Sequence, residues 1–592
     1  MKKLTALLLA LALCLGLAAC GNPSASSDPT PTPDAVEPTE TPEDVVDPVN
    51  GWDEYDALID EIRTTTDTAL RAELMHQAED MLMETGALLP IYFYTDPYMQ
   101  KSYLTNVYTT PFGYKYFMFA TLNNPAEGAD NSTVRIYLAS EPDKLDPALN
   151  STVDGACLAI NSFAGLMTYD SSQHQVCDLA ESYTMSEDGL TWTFTLKDGL
   201  KWSNGDPLDA NDFVYSWNRA ANPLTASDYG YMFAPIKGYA EMTEMDEEGN
   251  LVNPDATLAV TASEDGKTLT VELETPCAYF LDLAAFPTYF PVHQASVEAA
   301  DPDGTNPGAW ALEANFVCNG AYTLTQWNHN SSMVYEKNPN YHRADEVVIE
   351  RQEFMLTSDS TAAFNAYNAG DLDFIDSIPT AEIAGLNGNP EYYVADQLGT
   401  YYVSFNVNSP MFDGLTADEA NTLRKALALF IDRDYICTAI CQAGQVPAGS
   451  FVPPGCQDGN GHEFKNKDYF DPSAEAFEDN VAQGIAMMES IGFKFENGML
   501  SSETPLSFTY SVNTPGENVD IAVAIQQDMA AVGIDMKIQE SEWNVFLNDR
   551  KNGNYDVARN GWLMDYNDAF NMLEMWTSDS GNNDCQFGKP QA

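Results

Sequence analysis

Lys2 and Lys3 precede an apolar run, Leu4 to Leu17, broken only by small residues and Cys14 and ending in Leu17-Ala18-Ala19-Cys20. A run this short, with these flanks, does not make a stable membrane span, which takes about 20 apolar residues; it fits a secretory leader. Nowhere later do about 18 apolar residues follow one another. The fold therefore has to form after export, in a chain that carries no second spanning segment.

From Gly21 to Asn50 there are seven prolines, seven acidic residues and no Lys or Arg. Such a segment cannot bury enough apolar surface to offset its chain entropy, so residues 21–50 are expected to form a disordered tether. At about 3 Å per residue it would reach something under about 100 Å. The remaining 540 or so residues exceed what one hydrophobic core organises, and two or more lobes are expected. A net charge of −62 argues against nucleic acid and anionic membrane surfaces as partners, because both would repel it. Its first reading is a solubilising surface; steering of cationic ligands is the second.

Beyond Cys14 and Cys20 there are eight cysteines: Cys157, Cys177, Cys277, Cys318, Cys437, Cys441, Cys456 and Cys585. Export permits disulfides, but spacing gives no connectivity. Cys437 and Cys441 share a face if their stretch is helical. No His or second Cys pair stands at ligand spacing, so no zinc site and no other metal is expected.

Both periodicities are present. Leu190, Trp192, Phe194 and Leu196 alternate with threonines and run into Lys197-Asp198-Gly199, a half-buried strand and its turn. Leu258, Val260 and Ala262, then Glu264-Asp265-Gly266, then Leu269, Val271 and Leu273 read as a hairpin. Thr416 and Glu419 have capping-box spacing ahead of an apolar face at Leu423, Leu427, Phe430 and Ile431. Leu70, Leu74, Met81 and Leu82 form another stripe, stopped by Gly86, and Leu88 to Tyr94 reads as a buried strand. Helices and strands mix without a regular βαβ rhythm, which predicts a multi-lobed α/β protein rather than a barrel.

Enzyme chemistry finds no scaffold. There is no Gly-x-Ser-x-Gly elbow, no phosphate loop and no His-Glu-x-x-His, and the six histidines stand singly. Asp458-Gly459-Asn460-Gly461 reads as a turn rather than a calcium loop. The sequence does not support catalysis, and no cofactor is expected.

The Leu17-Ala18-Ala19-Cys20 ending resembles a bacterial lipoprotein box. It implies lipidation of Cys20 and anchoring at the extracellular face of the cytoplasmic membrane. Further on stand Glu141-Pro142-Asp143-Lys144-Leu145-Asp146-Pro147, Gly199-Leu200-Lys201-Trp202-Ser203-Asn204-Gly205-Asp206, and Asn319-Gly320-Ala321-Tyr322. They are followed by Asn338-Pro339-Asn340-Tyr341, Ile431-Asp432-Arg433, and Tyr555-Asp556-Val557-Ala558-Arg559-Asn560-Gly561-Trp562 running into Asp565-Tyr566-Asn567-Asp568. In this order, over more than 400 residues, they resemble the extracellular solute-binding proteins of oligopeptide/dipeptide ABC importers, family 5. The resemblance implies an α/β periplasmic-binding-protein-like fold (type II, large) whose two lobes close over a ligand at a hinge. It also implies a monomer that captures short peptides and delivers them to the membrane permease of an ABC importer. A same-fold receptor for a nickel chelate, haem or sugar is the alternative; an extracellular peptidase would need a nucleophile or metal that the sequence does not offer.

One departure stands out. In the family, Tyr-Asp-Ala-Leu-Ile, an apolar helix and Pro-x-Tyr-x-Tyr follow the Asp-Tyr-Asn segment. Here the matching residues, Tyr55 to Ile59 through Pro90 to Tyr94 and on to about Ala120, come first. A circular permutation or a rearranged gene would produce this order. The resemblance then assigns 51–94 and 399–592 to lobe II, 95–165 and 290–398 to lobe I, and 166–289 to an extra subdomain of lobe I, after the leader at 1–20.

A receptor for peptides of any sequence has to read the ammonium, the carboxylate and the backbone. By resemblance Asp565 takes the ammonium, a charge-assisted contact of about 2 kcal/mol. Arg559 and Arg550 stand near the ligand carboxylate. Trp543, Trp562, Tyr229, Tyr402 and Tyr94 match pocket-lining aromatics beside Gly561, Tyr229 being hard to tell from Tyr231. The backbone of Asp154, Gly155 and Ala156 is expected to pair with an extended peptide like an added strand. Asn518 stands where the family has a histidine for longer peptides.

Overall fold

The computed structural model describes residues 52–589, apart from 139, 140, 247, 248 and 515. The leader, Cys20 and the Pro-rich segment lie outside the described residues. The apolar run that opens at Leu88 forms the 13-residue strand Leu88–Gln100, whose first six residues are buried. It lies inside a mixed sheet of eleven strands. On one side it meets Phe374–Ile375, then Thr133–Tyr137, Arg351–Met355, Ser332–Lys337 and Tyr322–Asn328. On the other it meets Tyr392–Phe405, then Val557–Leu563, Ser507–Asn513 and Asp535–Ser541. Its pairing with the 14-residue strand Tyr392–Phe405 is antiparallel and shifts register twice, between Pro90 and Tyr92 and between Phe93 and Thr95. Such bulges bend a strand and re-aim its side chains; Tyr94 sits within the second.

The expectation of no regular βαβ rhythm fails in the last third. Strand Ser507–Asn513, helix Glu517–Ala531, strand Asp535–Ser541, helix Trp543–Lys551 and strand Val557–Leu563 form consecutive βαβ units with all three strands parallel. The half-polar strand Asp535–Ser541 is an edge strand with little apolar alternation to betray it. A separate four-stranded antiparallel sheet holds the predicted hairpin, Val260–Ala262 against Thr268–Glu272, with Gly266 at φ 68° in the turn. Thr416 and Glu419 form the expected capping box of helix Ala417–Leu429. Helix Thr68–Thr85 ends at Gly86, φ 63°. Its core face is Leu74, Met75, Ala78 and Leu82, whereas Leu70, placed in the expected stripe, is exposed in the first turn. The eight cysteines beyond the leader are free thiols, all but Cys177 buried.

The two ends of the described chain interlock. Trp52 stacks on Phe587 at 3.9 Å between ring centroids, and its indole Nε1 donates to the Trp576 carbonyl at 2.9 Å. The Tyr55 hydroxyl donates to the Leu573 carbonyl, and Arg71 makes a two-pronged pair with Asp568 at 2.8 and 2.9 Å.

Several carboxyls are buried so deeply that desolvation outweighs the groups that favour their charge. Glu79 accepts from the Phe451 and Val452 backbone N–H groups, and burial pushes it up to about 7 despite them. Burial likewise raises Glu574 to about 7 against the opposing effect of Arg63. A carboxyl held above its ordinary value binds protons more tightly in the folded than in the unfolded chain. Between pH 7 and pH 5 the folded state therefore gains relative stability as pH falls. The thermal unfolding midpoint should rise by several degrees from pH 8 to pH 5, and Glu79→Gln should flatten part of that rise; calorimetry across this range checks it.

Candidate ligand-binding site

Strand Val557–Leu563 pairs antiparallel with Tyr392–Phe405 and delivers the residues after it, up to Asp565, to one cavity of about 420 Å3. A volume of a few hundred Å3 suits a small-molecule or short-chain ligand. Of the residues expected at a site, Asp565, Arg559, Arg550, Trp543, Trp562, Gly561, Tyr229, Tyr94, Asp154 and Ala156 line it. They come from five separate stretches of the chain.

Asp565 is 5% exposed. Its carboxylate accepts from the Tyr229 hydroxyl at 3.2 Å and from Asn571 Nδ2 at 3.1 Å. Asn571 Oδ1 in turn accepts from the Asp565 backbone N–H and from Trp562 Nε1, both at 3.0 Å. One amide thereby fixes both the acid and the indole. No cationic side chain forms an ion pair with Asp565 among the described residues, and burial pushes its carboxyl up to about 7, the Asn571 and Tyr229 hydrogen bonds opposing the rise. A buried carboxylate solvated only by neutral donors is poised to gain from any cation brought to it.

Arg559 is the complementary case. Its Nε donates to Asn518 Oδ1 at 3.1 Å, and its guanidinium lies over the Tyr401 ring at 5.3 Å. Among the described residues no carboxylate pairs with it within 4 Å. Arg550 also lines the cavity, but its Nε is bound to Asp584 at 2.7 Å with both side chains nearly buried, so its charge is already matched. Tyr94 packs so closely on Gly561 that a Cβ at 561 would overlap the Tyr94 phenol oxygen, which explains the glycine there. The Tyr229 and Trp562 rings stand 6.1 Å apart, and Trp543 opens helix Trp543–Lys551 at the cavity wall.

Two expectations are corrected. Tyr402 is fully buried between Phe451 and Trp576, away from the cavity, because alternate residues of a strand face opposite ways; its neighbour Tyr401 takes the Arg559 side. Asp154, Gly155 and Ala156 are not free extended backbone. They lie in the first turn of helix Val153–Ser162, where the Gly155 N–H bonds the Thr152 hydroxyl and the Ala156 N–H bonds the Thr152 carbonyl. Gly155 does not line the cavity, and this backbone cannot add to a strand. Sequence reasoning also missed Asn571, whose only signal is its closeness to Asp565, and Asp376 and Asp584, for which no local signal exists.

Residues 175–584 match the bacterial extracellular solute-binding proteins, family 5, middle segment. The chain is 31% identical over 485 residues to the oligopeptide-binding protein OppA of Bacillus subtilis (strain 168), covering 80% of this chain and 83% of that protein. Among solved structures it is similar to Haemophilus influenzae OppA in complex with RPPGFSPFR, at 29% identity and a TM-score of 0.67, covering 78% of this chain and 85% of that one. The murein tripeptide binding protein MppA of Escherichia coli gives the same identity, coverage and TM-score. Sequence and two-lobed α/β fold together establish that the chain belongs to the bacterial extracellular solute-binding proteins of family 5.

Proposed function

We propose that this protein captures short peptides outside the cell and delivers them to the permease of an ABC-type importer, held at the membrane by a lipid on Cys20. The observation that carries this reading is a pair of opposite charges in one aromatic-lined cavity, neither in an ion pair with a described residue: Asp565, solvated by neutral donors, and Arg559, held by Asn518. A peptide's ammonium and carboxylate complement them. The two positions are six residues apart, at most roughly 20 Å along an extended strand. That span accommodates extended peptides of a few residues. The names of the relatives, oligopeptide- and murein tripeptide-binding proteins, support the same class.

The reading extends to the architecture. Residues 51–94 and 399–592 would form one lobe, 95–165 with 290–398 the other, and 166–289 its extra subdomain. The stacking of Trp52 on Phe587 and the seating of strand Leu88–Gln100 inside the sheet support a permuted order in which the displaced block completes the fold in place.

Binding of trialanine should stabilise the protein by about 2.7 kcal/mol at 100 times its dissociation constant. Its ammonium stays protonated below about pH 7.5 while Asp565 loses its charge as pH falls through about 7. Affinity is therefore present above pH 7 and should drop toward pH 5, approaching roughly tenfold per unit. Asp565→Asn should bind weakly at every pH with a flat profile, and calorimetry reads both. A wild-type profile that is flat from pH 5 to 7.5 would remove Asp565 from the ammonium role, and no response to any tri- to pentapeptide would favour a haem, chelate or sugar ligand.

The arginines should separate in their effects. Arg559→Met is expected to lower trialanine affinity at least tenfold with little change in unfolding midpoint. Arg550→Met leaves Asp584 buried without its partner and should cost about 3 kcal/mol of stability. Denaturant titration alongside calorimetry distinguishes the two.

A further inference from the structure

A second charged wall of the same cavity is unused by the proposed reading. Lys115, in the strand Lys115–Tyr116, is 6% exposed. Its Nζ lies 3.1 Å from Asp96 Oδ2 and 3.3 Å from Asp376 Oδ2, and it also donates to the Gly113 carbonyl. Asp96 comes from the bulged strand Leu88–Gln100, and Asp376 directly follows Phe374–Ile375. Asp154, in the first turn of helix Val153–Ser162, contributes a third carboxylate that acts electrostatically on both Asp376 and Lys115. Lys115 does not reach the cavity surface; Asp154 and Asp376 do.

Three carboxylates around one ammonium exceed what that ammonium can neutralise. The excess has a place to act. The Asp376 side chain is 8% exposed, yet its Oδ1 accepts no hydrogen bond from any described residue while the residue lines the cavity. Burial raises the Asp376 carboxyl well above its usual range; Lys115 opposes the rise, and Asp154 and Asp96 add to it. Asp154 is pushed up to about 6, by burial first. If the cluster served only to pin the Leu88–Gln100 strand, Lys115 with one carboxylate would suffice, and an orphan acceptor on a residue of the cavity wall would be a cost without a gain.

We propose that Asp154 and Asp376 form a second cation subsite, which takes a lysine or arginine side chain of the bound peptide while Asp565 takes its terminal ammonium. The inference rests on the peptide-binding reading above and deepens it: this receptor prefers basic peptides. Such a side chain would give Asp376 Oδ1 the donor it lacks and offset the excess negative charge, with Lys115 holding the carboxylates in place from behind.

The test is calorimetry at pH 7.5 with alanine tri- and tetrapeptides carrying one lysine at each position after the first, each matched by norleucine, which keeps the aliphatic chain and removes the charge. At one position lysine should bind at least tenfold more tightly than norleucine. That ratio should fall to near one in the Asp154→Asn/Asp376→Asn double variant. In Asp565→Asn all peptides should weaken while the ratio persists. Asp154→Asn alone leaves Lys115 with both close partners, so the result does not depend on the double variant folding; it should cut the ratio at least threefold. Lysine and norleucine binding equally at every position, or a ratio unchanged in Asp154→Asn and in the double variant, overturns the subsite and leaves peptide capture standing. No binding of any peptide in either series overturns the peptide reading and the subsite with it.

Discussion

The middle of the large sheet is a strand brought from near the start of the described chain. Leu88–Gln100 pairs with Tyr392–Phe405, Phe374–Ile375 and Val446–Pro447, all hundreds of residues later. The two halves of the sheet meet only through it, and its removal would leave the long Tyr392–Phe405 edge unpaired in what is now the core. The site inherits this dependence. Bulges in that strand turn Tyr94 onto Gly561, and Asp96 from the same strand meets Lys115. Contacts of such long sequence separation also make folding depend on late, non-local pairing. The stacking of Trp52, in helix Trp52–Thr64, on Phe587 ties the start of the described chain to its other end.

Electrostatics give the unmatched pair its meaning. With 89 acidic and 27 basic residues, cations are the scarce resource, and the fold sets several of the buried or half-buried ones against a carboxylate. Arg71 holds Asp568, Arg219 holds Asp146 and Arg550 holds Asp584. Arg424 and Arg433, buried without carboxylates, spend their donors on carbonyls at Thr85, Pro90, Ala428 and Ile431, and burial lowers both. What sets Asp565 and Arg559 apart is that two opposite charges line one cavity and form no ion pair with each other or with another described residue. Removing two charges from water without matching them costs stability, and a ligand that carries both opposite charges recovers it.

Much of this was legible in the sequence where the signal is local. The capping box at Thr416 and Glu419, the helix stop at Gly86 and the Asp265-Gly266 hairpin each depend on a few neighbouring residues, and each forms as expected. Asp565, Arg559 and Trp562 were readable because one short segment carries them. Legibility ends where geometry depends on register or distance. A single position separates Tyr401 from Tyr402, and only the pairing register decides which faces the Arg559 side. Thr152 caps a helix over Asp154 to Ala156, so a stretch expected to stay extended is helical. Lys115, Asp96, Asp376 and Asp154 lie on four separate elements, and no spacing rule brings them together.

The cavity walls already touch one another, which bears on what a ligand has to do. Tyr229 reaches Asp565, and its neighbour Asp228 meets Lys551 at 3.0 Å and accepts from Asn582 through its carbonyl at 3.4 Å. These polar contacts join the stretch 228–231 to the C-terminal segment beside the Tyr229–Trp562 ring contact. The half-exposed Asp228–Lys551 pair contributes little, and the buried Tyr229–Asp565 hydrogen bond is a single contact. A ligand shifts an opening and closing equilibrium only by the difference in its affinity for the two arrangements. One bound to Asp565 and Arg559 alone touches a single wall, that of the strand Val557–Leu563 and the residues just after it. A peptide that also reaches the wall of Asp154 and Asp376 spans both, and its binding energy then appears as closure. The placement of unmatched charge on both walls is therefore what would make a closed form depend on its cargo.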